Sequence, residues 1–222
     1  MPEFLRSVPR PGVPLIAHCV LAPGAMGAMD TTFMNAMAAL LADRGIVVSR
    51  FEFAYMAERR TSDSRRPPPR AERLVAEYAA AVEASVIEPA RSLPMFVGGK
   101  SLGGRVASLL AASDDTGTSL PIAGVCCLGY PFHPPKKPEN LRIAHLPKLR
   151  CPGLIVQGER DPFGSPDEVA SYDLPAAIRV VWIPDGDHDL KPRRASGVTH
   201  EANLTAAADA IADFMTTAVA AG

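Results

Sequence analysis

Residues 94–110 decide the fold, and they read PMFVGGKSLGGRVASLL. The first part is a short apolar run typical of a buried strand, and the last part has the spacing of an amphipathic helix. Between them lies a Gly-x-Ser-x-Gly pentapeptide, residues 99–103, which places Ser101 at a sharp turn from strand to helix. Glycines are needed there because a Cβ would collide with neighbouring chain. The free N–H groups of the helix N-terminus would favour negative charge developing beside Ser101.

The rest of the chain alternates between strand-like and helix-like segments. We predict strands over residues 15–21, 46–51, 95–98, 122–128, 153–158 and 178–183. We predict helices over residues 31–44, with Asp30 as N-cap, and over 73–89, 102–112 and 199–219. The alternation predicts an α/β fold, a doubly wound and mostly parallel sheet of about six strands with helices on both faces. Functional residues of such sheets gather beyond the carboxyl ends of the strands.

Two connecting segments differ in composition from the rest. Residues 57–70 carry five arginines around a triple proline and predict a solvated loop, with a proline motif for a recognition domain as the alternative. Residues 129–152 are broken repeatedly by proline and leave room for one short helix. Since no repeat and no second composition block is visible, we expect a single domain over residues 1–222.

Composition and charge narrow the class of partner. The chain has 222 residues, 47% of them hydrophobic, and a formal net charge of -1. A net charge this close to zero does not favour binding to nucleic acid or to an anionic membrane, so we expect a small-molecule partner. The sequence leaves the oligomeric state open. The four cysteines lie in or beside apolar runs without zinc spacing, and neither a signal peptide nor a membrane-spanning run is visible. These features predict a soluble protein of the reducing cytoplasm.

A serine nucleophile needs a base to take its proton and an acid to orient that base. The predicted strand 153–158 runs into Asp161, and the predicted strand 178–183 runs into His188. Both side chains would therefore lie at the sheet edge that holds Ser101. The order Ser, Asp, His along the chain is the one expected of this kind of sheet.

With residues 98–105, 158–162 and 186–188 in this order, the sequence resembles the α/β-hydrolase superfamily. It is most similar to the small, cap-less, dienelactone-hydrolase-like branch, which includes bacterial predicted hydrolases. The resemblance runs from Leu15 to the last helix. It implies a serine hydrolase with Ser101 as nucleophile, His188 as base and Asp161 as the orienting acid.

Such a hydrolase also needs two N–H donors for the oxyanion. Leu102 N supplies one, and the loop after the first predicted strand would supply the other, from Ala25 or, as second choice, Met26. Related hydrolases usually begin this loop with His-Gly, whereas this chain has Pro23-Gly24, a departure that bears on the shape of the loop. The side chains predicted to line the pocket are Lys100, Tyr130, Phe132 and His133.

Each of these residues also has a plainer interpretation. Asp161 could be an ordinary turn acid and His188 a surface residue, and His133 could lie on a proline-stiffened surface loop. Asp185, Asp187, His188 and Asp189 could form a metal cluster, although their adjacency favours solvated turn residues at 187 and 189. We expect Arg105 to form a structural ion pair and His18 to be a hydrogen-bonded core histidine, and we assign no role to His145 and His200.

The sequence therefore favours hydrolysis of esters through an acyl-enzyme, without a cofactor. The short connection over residues 129–152 leaves no room for a cap, so we expect an open cleft and short-chain or soluble acyl esters as substrates. One alternative is a weakly active or inactive scaffold that binds proteins. Another is acyl transfer or perhydrolysis by the same three residues.

Overall fold

A seven-stranded sheet forms the centre of the protein. The computed structural model describes residues 2–61, 67–88, 90–113 and 117–221. The strands are β1 (Leu5–Ser7), β2 (Ala17–Ala22), β3 (Ile46–Arg50), β4 (Met95–Lys100), β5 (Ile122–Leu128), β6 (Gly153–Gly158) and β7 (Ile178–Ile183). The α-helices are α1 (Thr32–Ala42), α2 (Ala54–Thr61), α3 (Val75–Ser85), α4 (Leu102–Ala111), α5 (Pro166–Ala170) and α6 (His200–Ala221). Short 3₁₀ turns cover Ala71–Leu74, Ala90–Ser92, Leu146–Lys148 and Arg194–Ser196.

The strand order is β1-β3-β2-β4-β5-β6-β7, and all neighbours are parallel except β1, which pairs antiparallel with β3. Apolar side chains fill both faces of the sheet. One face packs on α3 and α4 through Tyr78, Val106 and Leu110. The other packs on α1 and α6, through residues such as Leu41 and Ile211. Burial on both faces explains why the central strands are nearly continuous apolar runs.

The predicted α/β architecture is confirmed, and β5, β6 and β7 have the bounds that their apolar runs predict. The sheet has one strand more than expected, because β1 adds to the outer edge of β3. The N-cap of α1 is Thr31, whose Oγ1 accepts a hydrogen bond from Met34 N, so the prediction of Asp30 was wrong. The Asp30 carboxylate instead pairs with Arg60.

The prediction of a loop over residues 57–70 was wrong for its first part, because α2 extends to Thr61. This helix carries few apolar side chains, and its arginines find partners elsewhere in the fold. The Arg59 guanidinium lies 5.1 Å from the Tyr55 ring centroid, and Arg60 pairs with Asp30 and Glu52. Residues 62–66 lie outside the described ranges, and residues 67–70 have no regular secondary structure.

One connecting segment bears on access to the carboxyl edge of the sheet. Residues 129–152, which join β5 to β6, contain a single short 3₁₀ turn.

The four cysteines are free thiols, three of them buried. None of the helices in the described ranges is long and apolar enough to cross a bilayer.

Candidate active site

Ser101 occupies the turn between β4 and α4 in a strained backbone conformation, with φ 50° and ψ -112°. Ser101 N donates to Leu128 O at 2.9 Å, which ties the turn to the end of β5. The flanking glycines are required by close packing. A Cβ on Gly99 or Gly103 would lie 2.2 Å from the carbonyl oxygen of Ala22 in β2. The structure therefore has the sharp strand-to-helix turn that the pentapeptide predicts.

His188 and Asp161 are brought together by the loops after β7 and β6. His188 Nδ1 lies 2.8 Å from Asp161 Oδ2, and the Asp161 side chain is fully buried. Because an ionised carboxylate only accepts hydrogen bonds, this contact favours the tautomer with the proton on Nδ1. His188 Nε2 is then an acceptor, as a general base requires.

Neighbouring groups hold this pair in place. Asp161 Oδ1 accepts a hydrogen bond from Phe163 N at 2.9 Å, and the Phe163 ring lies 4.4 Å from the imidazole, centroid to centroid. Gly129, at the end of β5, has φ 62°, and a Cβ there would lie 3.1 Å from His188 Nδ1. The imidazole thus rests against the backbone directly after β5, and a larger residue than glycine at this position would crowd it.

Ser101 and His188 line one cleft of about 550 Å³, here called the His188 cleft. It is open to solvent on one side, and its other lining residues include Phe33, Lys100, Phe163 and Asp189. Within the described residues, Ser101 Oγ makes no hydrogen bond to another side chain. A Ser101–His188 bond would therefore have to form on substrate binding, as catalytic contacts often do.

The loop after β2 lies against Ser101. Gly24 and Gly27 close a turn through the bond Gly27 N to Gly24 O, and a Cβ on Gly24 would be 3.6 Å from Ser101 Cβ. In the described part of the chain, Ala25 N and Leu102 N donate to no protein acceptor. Both residues border the space around Ser101. Met26 follows in the turn, and its side chain is 81% exposed.

A polar network beneath this loop fixes its shape. Ala25 O accepts hydrogen bonds from Tyr55 Oη at 3.0 Å and from Arg59 Nη1 at 3.2 Å. Farther along, Met29 N donates to Glu52 Oε2. Arg60 joins the Glu52 carboxylate to that of Asp30, with contacts of 2.7 Å to each. The backbone after Pro23-Gly24 is therefore held by side chains of α2 and of the segment after β3.

Lys100 lies directly before Ser101, with its side chain only 8% exposed. Its Nζ is 3.3 Å from Asp189 Oδ1 and 5.5 Å from the centroid of the Phe33 ring. Burial lowers the pKa of Lys100, and the carboxylates of Asp189 and Asp161 oppose that shift. The lysine places a positive charge in the wall of the His188 cleft.

The other three predicted pocket residues lie elsewhere. They are Tyr130, Phe132 and His133, and all three are buried. None of them lines the His188 cleft or the further space beside Ser101 that Leu102 borders. Tyr130 Oη donates to Arg142 O, and the Phe132 ring packs against Gly164. His133 Nδ1 lies 2.8 Å from Pro134 O. The prolines around these residues fold the segment inward against β6 and its following loop, and Pro131 borders the space around Ser101 instead.

The acidic residues around His188 have separate partners. Asp185 pairs with Arg160 and Arg193, and Asp187 Oδ1 accepts hydrogen bonds from the backbone of residues 189 and 191. Over the described ranges, no three His, Cys, Asp or Glu side chains are grouped as metal ligands. His18 is buried, with Nε2 2.8 Å from Ser49 Oγ, as expected for a core histidine.

Sequence reasoning missed two residues beside Ser101. The Phe163 ring lies against the imidazole at an interplanar angle of 36° and borders the space around Ser101. Its position two residues after Asp161 is the sequence signal that could have identified it. Arg142 reaches the same region from the loop before β6, 41 positions along the chain from Ser101, and no local pattern marks it.

The strained serine at the β4–α4 turn, followed by an acid after β6 and a histidine after β7, defines the class as α/β-hydrolase. A family model described as alpha/beta hydrolase domain matches residues 16–216, and the chain belongs to this family.

Solved structures with the same fold include several enzymes. Dienelactone hydrolase from Anabaena variabilis is 19% identical, with a TM-score of 0.70 over 97% of this chain and 91% of that one. Est1E from Butyrivibrio proteoclasticus, solved with ferulic acid, is 15% identical, with a TM-score of 0.68 over 99% and 96% of the two chains. A serine hydrolase without a lid from Xanthomonas campestris is 17% identical, with a TM-score of 0.61 over 99% and 88%. At these identities, the likeness shows the shared fold.

Proposed function

We propose that this α/β-hydrolase is a serine hydrolase that cleaves carboxylic esters with short or soluble acyl groups. The observation that carries the proposal is the 2.8 Å contact between His188 Nδ1 and Asp161 Oδ2 at the cleft that contains Ser101. That contact leaves His188 Nε2 to act as the base, while the backbone strain at Ser101 turns its side chain out of the sheet.

In this mechanism, Ser101 Oγ attacks the ester carbonyl carbon as His188 Nε2 takes the hydroxyl proton. The carbonyl oxygen becomes an oxyanion, which accepts hydrogen bonds from Leu102 N and Ala25 N. His188 then gives the proton to the leaving alkoxide, and the acyl group remains on Ser101. Water then attacks the acyl carbon of the acyl-enzyme as His188 Nε2 takes a proton from it. As the bond between that carbon and Ser101 Oγ breaks, His188 returns the proton to Ser101 Oγ, and the carboxylic acid leaves.

The substrate class rests on the open surface around Ser101. The 24 residues 129–152 form no cap, and the lining of the two clefts beside Ser101 includes charged side chains as well as apolar ones. Such walls favour small, polar acyl groups over long alkyl chains. One of the proteins of similar fold described above is a dienelactone hydrolase by name, which agrees with this reaction class.

The proposal is tested by labelling with a fluorophosphonate and by hydrolysis of 4-nitrophenyl esters. We expect an adduct on Ser101, hydrolysis of the butyrate faster than the laurate, and loss of both reactions in Ser101→Ala. The matched control is Ser171→Ala, which removes an exposed hydroxyl that bonds to Glu168 O. A folded protein without an adduct on Ser101 would favour the scaffold alternative, and faster hydrolysis of the laurate would contradict the assigned substrate class.

A further inference from the structure

A second cleft adjoins Ser101, and His188 is not among its described lining residues. It has a volume of about 600 Å³, and it is here called the Arg142 cleft. Its lining residues shared with the His188 cleft are Ala25, Ser101 and Phe163. The charged side chains among its described lining residues are Arg70, Glu72, Arg105 and Arg142. Three arginines and one glutamate thus line the space next to Ser101.

Two of these arginines, Arg105 and Arg142, are partly buried, and Arg105 is close enough to disfavour the charge of Arg142. Burial lowers the pKa of Arg142, and the charge of Arg105 lowers it further. Arg105 Nη2 pairs with Glu72 Oε1 at 2.7 Å, the structural ion pair expected from the sequence, but its buried Nε has no hydrogen-bond partner. Among the described residues, the Arg142 guanidinium forms neither an ion pair nor a hydrogen bond.

This arrangement is unfavourable in the free protein and favourable with an anion bound. Of the two neighbouring guanidinium groups, that of Arg105 pairs with the half-exposed Glu72 carboxylate, while that of Arg142 has no such partner among the described residues. Burying these charges costs free energy that a bound anion would offset. The planar guanidinium of Arg142 has its donors free, in the geometry that matches a carboxylate with two parallel hydrogen bonds. The Arg142 cleft therefore has the properties of a carboxylate subsite.

The position of His188 decides which part of an ester would occupy this subsite. His188 must give its proton to the leaving oxygen, so the leaving group lies on the side where His188 lines the wall, in the His188 cleft. Leu102, whose N–H would bind the oxyanion, borders the Arg142 cleft. The remaining space next to the carbonyl carbon, the Arg142 cleft, is then left for the acyl chain.

We propose that the Arg142 cleft binds a carboxylate at the far end of the acyl chain, so that the substrates are half-esters of dicarboxylic acids. This inference rests on the proposed ester hydrolysis for its orientation, but the binding of the carboxylate does not require turnover. Arg142 is the specificity-determining residue, with Arg105 as the second positive charge. Their effect is to select acyl groups by charge, which an apolar acyl pocket cannot do.

The test compares mono-4-nitrophenyl glutarate with its methyl ester, which has the same acyl chain without the charge. We expect kcat/KM to be at least tenfold higher for the anionic ester, after correction for spontaneous hydrolysis, and this ratio to fall at least tenfold in Arg142→Gln. The matched control is Arg10→Gln, because Arg10 pairs with Asp43 in an exposed position away from both clefts. That variant should keep the wild-type ratio.

A binding measurement separates this inference from the proposed function. Calorimetric titration of Ser101→Ala protein with monomethyl glutarate should give saturable binding, at least tenfold weaker when Arg142→Gln is added. If the wild-type protein cleaves no ester, the proposed function fails, and the titration alone then shows whether the Arg142 cleft binds a carboxylate. The inference is overturned if the ratio of kcat/KM for the two esters is one or below in the wild-type enzyme, or if Arg142→Gln leaves it unchanged. A titration without binding would also overturn it.

Discussion

The hydroxyl of Tyr78 lies between the two strands that lead into the site, 2.9 Å from Gly98 N in β4 and 2.7 Å from Val20 O in β2. It accepts a hydrogen bond from Gly98 N and is also within 2.6 Å of Gly98 O. β4 continues to Ser101, and β2 continues to the loop that contains Ala25. A single buried hydroxyl on α3 therefore bridges the two strands that lead to Leu102 N and Ala25 N, the oxyanion donors of the proposed mechanism.

Tyr78→Phe should destabilise the protein and reduce turnover. Loss of the hydroxyl leaves a buried N–H without its acceptor, which costs about 1–3 kcal/mol. The free energy of unfolding in urea measures this change, with kcat for 4-nitrophenyl butyrate as the second readout. The control is Tyr172→Phe, because the Tyr172 hydroxyl bonds to no residue in the described ranges. Equal stability of the two variants would show that the bridge is unimportant.

Asp161→Asn should nearly abolish turnover while the protein stays folded. The amide can donate to His188 Nδ1, which then holds the wrong tautomer, and the expected loss of kcat is about 10⁴-fold. The rate at which a fluorophosphonate labels Ser101 should fall as well. Asp187→Asn serves as the control in the neighbouring turn, since the Asp187 carboxylate bonds only to backbone there. An Asn variant with near wild-type kcat would exclude Asp161 as the orienting acid.

Arg60→Gln should reduce kcat more than it changes KM. Without the guanidinium, Asp30 and the nearly buried Glu52 lose their common partner, and the loop that carries Ala25 N is free to shift. A displacement of about 1 Å in a positioning group costs up to about 100-fold in rate. Steady-state kinetics on 4-nitrophenyl butyrate test this expectation. Arg91→Gln, which breaks an exposed pair with Glu88, should have no effect, and an equal loss in both variants would contradict the argument.

The stability of the protein should fall as the pH falls from about 6.5 to about 4. Burial, assisted by the charge of Arg6, lowers the pKa of His18 from 6.5 to about 4, so the folded state keeps this residue neutral while the unfolded state binds a proton. At pH 5 the difference amounts to at most about 2 kcal/mol.

Urea unfolding at pH 7.5 and pH 5.0 measures this loss of stability. His18→Gln removes the titrating group, so its two midpoints should lie closer together than those of the wild-type protein. His200→Gln, at the first residue of α6, is the control for the loss of a histidine outside the core. The same difference between midpoints in His18→Gln as in the wild-type protein would contradict the assignment.

The sequence predicts the elements that rest on local signals. The apolar runs over β5 and β6 are bounded on both sides by glycine, proline or polar residues, and that over β7 ends before Pro184. The predicted bounds of all three strands agree with the structure. The turn at Ser101 is predicted because the Gly-x-Ser-x-Gly pentapeptide is a local sequence pattern that is typical of this turn. By contrast, β1 has three residues, and its pairing depends on the free edge of β3, which no local pattern encodes.

The residues missed by sequence reasoning depend on tertiary contacts. α2 has few apolar side chains to predict it, and its Arg60 is held by the carboxylates of Asp30 and Glu52, which lie outside the helix. Arg142 reaches the site through a connection without regular secondary structure around it. α5 is different, since Ser165 and Glu168 form a capping box that the sequence could have predicted.

The backbone strain at Ser101 lowers the stability of the fold at the same residue that the proposed mechanism needs for activity. A non-glycine residue at φ 50° and ψ -112° costs about 1–3 kcal/mol, a sizeable share of a net stability of about 5–15 kcal/mol. Ser101→Gly should therefore give a protein that is inactive yet at least as resistant to heat. Selection of variants for thermal tolerance alone would tend to discard the serine, so that any engineering of this fold has to screen for turnover at the same time.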